Sequence, residues 1–282
     1  MNHILFFGFG FSAQALAARL PAAQWKITGT SRTAEGAAAI RAMGYEGLVF
    51  ASHATVPDSV THVVSSVPPD QAGDPVLRHY GASLAARATH LTWAAYLSTT
   101  GVYGDHAGGW VSEDTALKPN TERGHRRLAA EQDWLKLWRD HHLPLHIFRL
   151  AGIYGPGRNA LDQLRAGKAR RIIKPGQIFS RIHVEDIAGL LLASMARPNP
   201  GAAYNGADDE PCPPQDVIAH AANLLHLPPP PDVPFAEADL SPMARSFYED
   251  SKRVSNARAR TELGYRFRYP NYREGLRALL TS

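Results

Sequence analysis

Along the first 150 residues, short apolar runs alternate with longer stretches whose apolar positions recur at helical spacing. The runs at 3–7, 26–30, 47–50, 62–66, 93–98 and 145–150 have the length and near-continuous apolarity of strands buried on both faces. Between them, 12–20, 34–43, 75–88 and 124–141 carry alanine-rich or amphipathic helical patterning. Strand and helix in alternation predict an α/β fold, a doubly wound parallel sheet with crossover helices. After Tyr154 the texture changes. Gly155-Pro156-Gly157 breaks the chain, and later segments mix basic loops with helical patterns at 184–195 and 215–225. The expected organisation is a sheet domain over 1–157 and a smaller C-terminal lobe over 158–282, partly interleaved with it.

The first strand runs into Gly8-Phe9-Gly10-Phe11-Ser12-Ala13 and then a helix. Gly8 permits the tight turn, Gly10 lets backbone approach a pyrophosphate without a Cβ in the way, and Ala13 keeps the helix close to the sheet. Amides at the helix start would face the phosphates, aided by the helix dipole. This is the dinucleotide-binding order of a Rossmann-type domain; the alternative is a glycine turn that merely packs. The second strand ends in Thr28-Gly29-Thr30-Ser31-Arg32-Thr33, without the acidic residue that would take the ribose hydroxyls of NAD. Ser31 and Arg32 can instead hydrogen-bond a 2′-phosphate, so NADP is expected before NAD. A solvent-facing arginine is the plainer reading of Arg32.

Composition changes the picture little. The 282 residues are 44% hydrophobic and 20% charged, ordinary globular usage and ample for a core. The apolar stretch at 4–11 is short and holds two glycines, so it reads as a buried strand and not a signal peptide; no run has the length of a membrane span. A single cysteine, Cys212, excludes an internal disulfide and fits a reducing, cytoplasmic setting. The net charge of +4 is spread over several segments, which suits an anionic small molecule better than nucleic acid. Thirteen histidines come without HExxH, CxxC or a carboxylate cluster, so no metal is expected. No G-x-S-x-G elbow is present.

Four further blocks carry a resemblance. They are Leu97-Ser98-Thr99-Thr100-Gly101-Val102-Tyr103-Gly104; Arg149-Leu150-Ala151-Gly152-Ile153-Tyr154-Gly155-Pro156-Gly157; Arg181-Ile182-His183-Val184-Glu185-Asp186-Ile187-Ala188; and Ser251-Lys252-Arg253 with Leu263-Gly264-Tyr265. In this order, behind the glycine loop, they resemble the extended short-chain dehydrogenases/reductases, the sugar-nucleotide epimerases and dehydratases. The resemblance implies that Ser65, Ser66 and Val67 after the fourth strand, together with Ser98, Leu150 and Ile153, join Gly8–Ala13 around the cofactor. It also implies a catalytic hydroxyl at Thr99, and substrate contacts from Thr100, Tyr154, Arg158 and Arg181.

One block departs. The family motif P-x-S-x-Y-G-x-S-K, with a glutamate four residues on, here reads Pro119-Asn120-Thr121-Glu122-Arg123-Gly124-His125-Arg126-Arg127, then Glu131. Arg123 stands for the proton-transferring tyrosine and Arg127 for its lysine, so the chain reads as an atypical member. Deprotonating an unshifted tyrosine at neutral pH costs about 4 kcal/mol, and an arginine about 8, which excludes Arg123 as a base. Arg127 can still donate to the ribose, and Arg123 can hold an anionic substrate; helix-surface charge is the plain alternative for both. Tyr103 and His183 are candidate substitutes in proton transfer beside Thr99, each equally readable as structural. Glu122 reads as an ion-pair partner of Arg123. Arg158, Arg165, Lys168, Arg170, Arg171, Lys174 and Arg181 form a basic stretch, an anchor for an anionic substrate or a solvated loop. Trp134, Leu135 and Trp138 suit either a homodimer face or the core.

Three functions remain open at this stage: an NADP-dependent oxidoreductase or epimerase-like enzyme for a small or nucleotide-linked anionic substrate; a non-catalytic sensor of NADP(H); and, weakest, RNA binding on a dinucleotide fold.

Overall fold

The computed structural model describes residues 1–51 and 55–280. In chain order the elements are β1 (Asn2–Phe7), α1 (Phe11–Ala17), β2 (Trp25–Ser31), α2 (Ala34–Ala42), β3 (Glu46–Val49), β4 (His62–Ser65), α3 (Pro75–Arg87), β5 (Trp93–Thr99), β6 (Trp110–Val111), α4 (Glu122–His141), β7 (Leu145–Leu150), β8 (Gly152–Tyr154), α5 (Ala160–Arg165), β9 (Arg171–Ile173), β10 (Arg181–His183), α6 (Val184–Ala196), β11 (Ala203–Gly206), α7 (Pro214–Leu224), β12 (Asp232–Pro234), α8 (Pro242–Ser246), β13 (Arg253–Val254), α9 (Ala257–Glu262) and α10 (Tyr272–Leu280).

Seven strands form one parallel sheet in the order β11-β7-β5-β4-β1-β2-β3. All six expected strands are in it, within a residue or so of their expected ends. The seventh, β11, comes from beyond residue 157, and so does α6, which packs on α1. The chain therefore leaves the sheet after β7 and returns to it as β11. Three two-stranded parallel pairs, β8–β10, β9–β12 and β6–β13, organise the rest.

Alternation along β1 sorts the core into two layers. Ile4 and Phe6 face a cluster with Leu16 of α1 and Ile187, Leu190 and Leu191 of α6. Leu5 and Phe7 face the other side, with Tyr80 and Leu84 of α3 and Trp134 of α4. Trp134 stacks on Tyr96 and donates from Nε1 to Asp74 Oδ2 at 3.0 Å, while Leu135 and Trp138 pack partly buried on the same cluster. These three serve the core of this chain. Thr121 caps α4 by accepting from the Gly124 amide, which starts the helix two residues before its expected beginning. No helix of the described residues is long and apolar enough to cross a membrane.

Candidate functional site

The strand order reverses direction of growth at β1, between β4 and β2, and a crevice outside the carboxyl ends of the strands forms at such a point. The glycine loop lies there. Gly8 has φ +83°, a conformation open to glycine, and a Cβ on it would lie 2.9 Å from Ser66 Oγ. The Gly8 amide donates to Thr30 Oγ1 at 3.0 Å and the Phe9 amide to the Thr30 carbonyl at 3.1 Å, which fastens the loop to β2. Gly10 is the N-cap of α1, and no side chain caps that helix. A Cβ at Gly10 would meet nothing within 4 Å. The first amides of α1 thus lack intrahelical acceptors and open onto free space, the donor set a diphosphate fits. Ser12 and Ala13 are buried under this turn, and the Phe11 ring reaches towards Gly155 across the cleft.

The remaining cofactor candidates line up along neighbouring strand ends. Ser66 donates to the Gly8 carbonyl at 2.9 Å, Val67 flanks Gly8, and Ser65 is buried with its hydroxyl unpartnered. Ser31 closes β2 and Arg32 follows it, exposed and without a protein acceptor among the described residues. Leu150 ends β7 and Ile153 lies in β8. Arg127 is buried, donating from Nη1 to Tyr96 Oη at 3.1 Å and to the Leu97 carbonyl at 2.9 Å, with its Nε left unpartnered. It is no surface charge. Arg123 lies one turn earlier, exposed, with its guanidinium 5.2 Å from the Phe247 ring centroid. Burial against its surroundings and the neighbouring Arg127 charge lower its proton affinity. Glu122 pairs with Arg126 across one helical turn, not with Arg123, which has no ion pair among the described residues.

Beneath the strand ends runs a buried polar chain that the sequence did not reveal. Ser98 Oγ donates to Glu131 Oε1 at 2.5 Å. Glu131, 1% exposed, also takes the Arg149 guanidinium, with Nη2 3.0 Å from Oε2. Burial lowers the proton affinity of Arg149, and the Glu131 carboxylate more than restores it. Arg149 Nη1 donates to Tyr103 Oη at 3.1 Å, and Tyr103 donates to Asn205 Oδ1 at 2.8 Å. The backbone amide of Asn205 donates to Glu113 Oε1 at 2.7 Å. The register of Glu131 with the family motif was the one sequence signal for this chain of contacts.

Burial and hydrogen bonding weigh against two of the expected proton-transfer roles. Tyr103 is fully buried, its hydroxyl is committed at both ends, and burial raises its pKa; it belongs to the scaffold, not the cleft mouth. His183, 2% exposed, caps α6 by accepting from the Glu185 amide at Nδ1, and packs between Tyr154 and Tyr269. Burial, with the Arg268 charge, lowers its pKa to about 4, so at neutral pH it is the neutral imidazole and not the imidazolium that a general acid needs. Thr99 is the last residue of β5. Half-buried at the end of β5, it accepts the Gly101 amide at 3.2 Å and keeps its own hydroxyl proton for another acceptor; Thr100 follows it into the turn.

The substrate candidates of the second lobe gather elsewhere. Tyr154, Arg158 and Arg181 share the wall of a cavity of about 310 Å³, bounded by α5, α7 and α10. Arg181 Nη1 donates to the Phe179 carbonyl at 3.1 Å and to Cys212 Sγ at 3.1 Å. Asp208, 1% exposed, sits close to Arg181 with Oδ2 unpartnered, and burial raises its pKa to about 8. Of the other basic residues, Arg165 pairs with Asp162 and Arg171 with Asp232. No group of three or more His, Cys, Asp or Glu among the described residues could hold a metal. The closing block also has a job: Lys252 is buried and donates to the Gly104 carbonyl at 2.7 Å, tying the chain's end to the turn after Tyr103.

Comparison with known proteins agrees with this architecture. A conserved protein of unknown function from Silicibacter pomeroyi DSS is 56% identical, with a TM-score of 0.95 over 100% of this chain and 99% of its own. A putative NAD-dependent epimerase/dehydratase from Methylobacillus flagellatus is 27% identical, with a TM-score of 0.73 over 99% and 98%. Protein YeeZ of Escherichia coli K12 is 29% identical over 96% of this chain and 97% of its own length. Residues 80–206, from α3 to the end of β11, match the family model described as NAD dependent epimerase/dehydratase. With that match, the glycine loop and the seven-stranded sheet in place, the chain is similar over residues 80–206 to the NAD dependent epimerase/dehydratase family, with Arg123 and Arg127 where the resembled motif has tyrosine and lysine.

Proposed function

We propose that the protein binds NADP in the β1–α1 crevice and acts as an oxidoreductase or epimerase-like enzyme on an anionic substrate, without the Tyr/Lys pair. The observation that carries this reading is the uncapped start of α1 above Gly8, with open space at Gly10. Amides there hold the diphosphate; Ser31 and Arg32 take the 2′-phosphate, which is the basis for preferring NADP to NAD. When bound, the nicotinamide supplies hydride donor or acceptor chemistry. The chain's own residues position the partner. Thr99 offers a hydroxyl hydrogen to a substrate atom, and Arg123, free of carboxylates, holds an anionic group or opposes negative charge that develops on the substrate. Arg127, anchored on Leu97, holds the same field from below. With Tyr103 and His183 withdrawn, net proton exchange falls to water or to the substrate, with Thr99 as the hydrogen-bonding intermediary. A relative matched over 45% of its own length at 31% identity is a 3-diazoavenalumate denitrifying reductase of Streptomyces, which supports an oxidoreductase.

The burial of Tyr103 and His183 also favours a second reading, a sensor that binds NADP(H) without turnover. Calorimetry with NADP, NADPH, NAD and NADH, followed by single-turnover absorbance at the nicotinamide band across carbonyl substrates, separates the two. Tighter binding of the phosphorylated coenzymes with hydride transfer supports the enzyme. Unequal affinity for the oxidised and reduced forms without transfer supports the sensor. No binding of any coenzyme refutes both.

A further inference from the structure

The cavity of the second lobe is cationic to an unusual degree. Arg158, Arg170 and Arg181 line it, and no aspartate or glutamate does. None of the three forms an ion pair among the described residues: Arg170 Nη1 donates to the Asp239 carbonyl at 2.8 Å, and Arg181 to carbonyls and a thiol. Asp208, whose carboxyl interacts electrostatically with Arg181, is driven by burial towards its protonated form, so it leaves that charge largely uncompensated at neutral pH. Three arginines lining one cavity without an acidic residue in its wall repel one another, and an anion placed among them relieves that cost.

Shape narrows the choice. The remaining wall mixes the polar side chains of Asn159 and Gln163 with aliphatic residues and the rings of Tyr154, Tyr248 and Tyr272. Aromatic walls select planar apolar bodies through offset and edge contacts. The volume of about 310 Å³ lies at the floor of the range of small-molecule pockets, about 300–1,000 Å³. A nucleotide-linked sugar brings a base, a ribose, a diphosphate and a hexose; one substituted ring fits the space far better.

We infer that this cavity binds a small aromatic acid, a single ring bearing one or two carboxylates gripped by Arg158, Arg170 and Arg181, in place of the nucleotide-linked sugar of the resembled enzymes. The inference rests on the proposed oxidoreductase reading only in taking this ligand as the substrate. The carboxylates lie in the planes of the guanidinium forks, and the ring lies between the tyrosines. Guanidiniums prefer such bidentate oxygen pairs.

The test is calorimetry on the full chain at low salt with terephthalate, its saturated counterpart cyclohexane-1,4-dicarboxylate, and UDP-glucose, each titrated separately. NADPH binding is followed on the same preparations by nicotinamide fluorescence. Terephthalate is expected to bind at least tenfold more tightly than cyclohexane-1,4-dicarboxylate, and UDP-glucose more weakly than either. Arg158→Ala and Arg170→Ala should each weaken terephthalate tenfold or more and leave NADPH affinity within twofold. Both side chains are exposed, so folding is preserved; thermal melting checks it. Equal binding of ring and saturated acid, tighter binding of UDP-glucose, no heat from terephthalate, or indifference to both variants overturns the inference. NADPH binding without terephthalate binding defeats this inference alone, whereas terephthalate binding without NADPH binding defeats the coenzyme reading and leaves the cavity assignment standing.

Discussion

Glu131 is the residue whose loss tests the buried chain most directly. Replacing it with alanine removes the acceptor of Ser98 Oγ at 2.5 Å and all three contacts from Arg149, at 3.3, 3.3 and 3.0 Å. Arg149, 6% exposed, would keep Tyr103 Oη as its side-chain hydrogen-bond partner. Stranding one member of a buried ion pair costs about 3–5 kcal/mol, and an unsatisfied buried hydroxyl about 1–3. The two effects share one cavity and overlap, so the expected loss is about 4 kcal/mol. That is a large share of the about 5–15 kcal/mol of a typical domain. Urea unfolding followed by tryptophan fluorescence reads it, because Trp93 and Trp134 are buried in the layers concerned. Glu131→Gln keeps an acceptor for Ser98 and should lose less. Glu131→Leu with Arg149→Met, which removes both charges, should recover most of what Glu131→Ala loses. A Glu131→Ala variant within 1 kcal/mol of the parent at unchanged m-value, or a double variant worse than Glu131→Ala, would refute the argument.

Three more expectations follow from named groups. Gly8→Ala forces a side chain into φ +83° and against Ser66; it should cost about 1–2 kcal/mol in urea unfolding and weaken NADPH binding at least tenfold, and a wild-type coenzyme affinity would count against the cradle. His62, His146 and His183 are all lowered to about 4 by burial, first and foremost, against 6.5 in the unfolded chain. Below 6.5 the unfolded state binds more protons, so stability should be full above that pH and fall as pH drops towards 4, by up to about 3 kcal/mol per histidine; a flat profile of melting temperature between pH 7 and 4.5 would contradict this. Asp208 has the opposite sign: with a folded pKa of about 8 against 3.8, the native state holds the extra proton, so its contribution declines between pH 4 and 8. Asp208→Asn should therefore raise stability at pH 8.5 by a few kcal/mol relative to pH 4, and an equal effect at both pH values would disprove the assignment.

The sheet was legible because parallel strands buried on both faces must be apolar throughout, and six such runs stand out. β11 escaped notice for a reason of length and content: Ala203-Tyr204-Asn205-Gly206 is four residues with an asparagine and a glycine, and its burial comes from α6 and α9 packing on it. The glycine loop was readable through local sterics. Proton chemistry was not. Tyr103 follows a strand end in the motif and looks accessible, yet its direction is fixed by Arg149 and Asn205, which are 46 and 102 residues away. Likewise the charge imbalance of the cavity depends on Arg158, Arg170 and Arg181 lining one wall that holds no acidic residue, and no spacing encodes that. Register singles out Arg123 and Arg127, but only the fold separates a buried anchor from an exposed cation.

The return of the chain to the sheet as β11 has a consequence for how the protein is made. A fragment ending at residue 157 would lack both α6 and β11, leaving the edge of β7 unpaired and the face of α1 bare. Such an edge recruits foreign strands. During synthesis the N-terminal half of the sheet therefore has to wait for about a further fifty residues to leave the ribosome before its outer border is sealed. A nascent chain stalled before that point should be the species that chaperones hold longest.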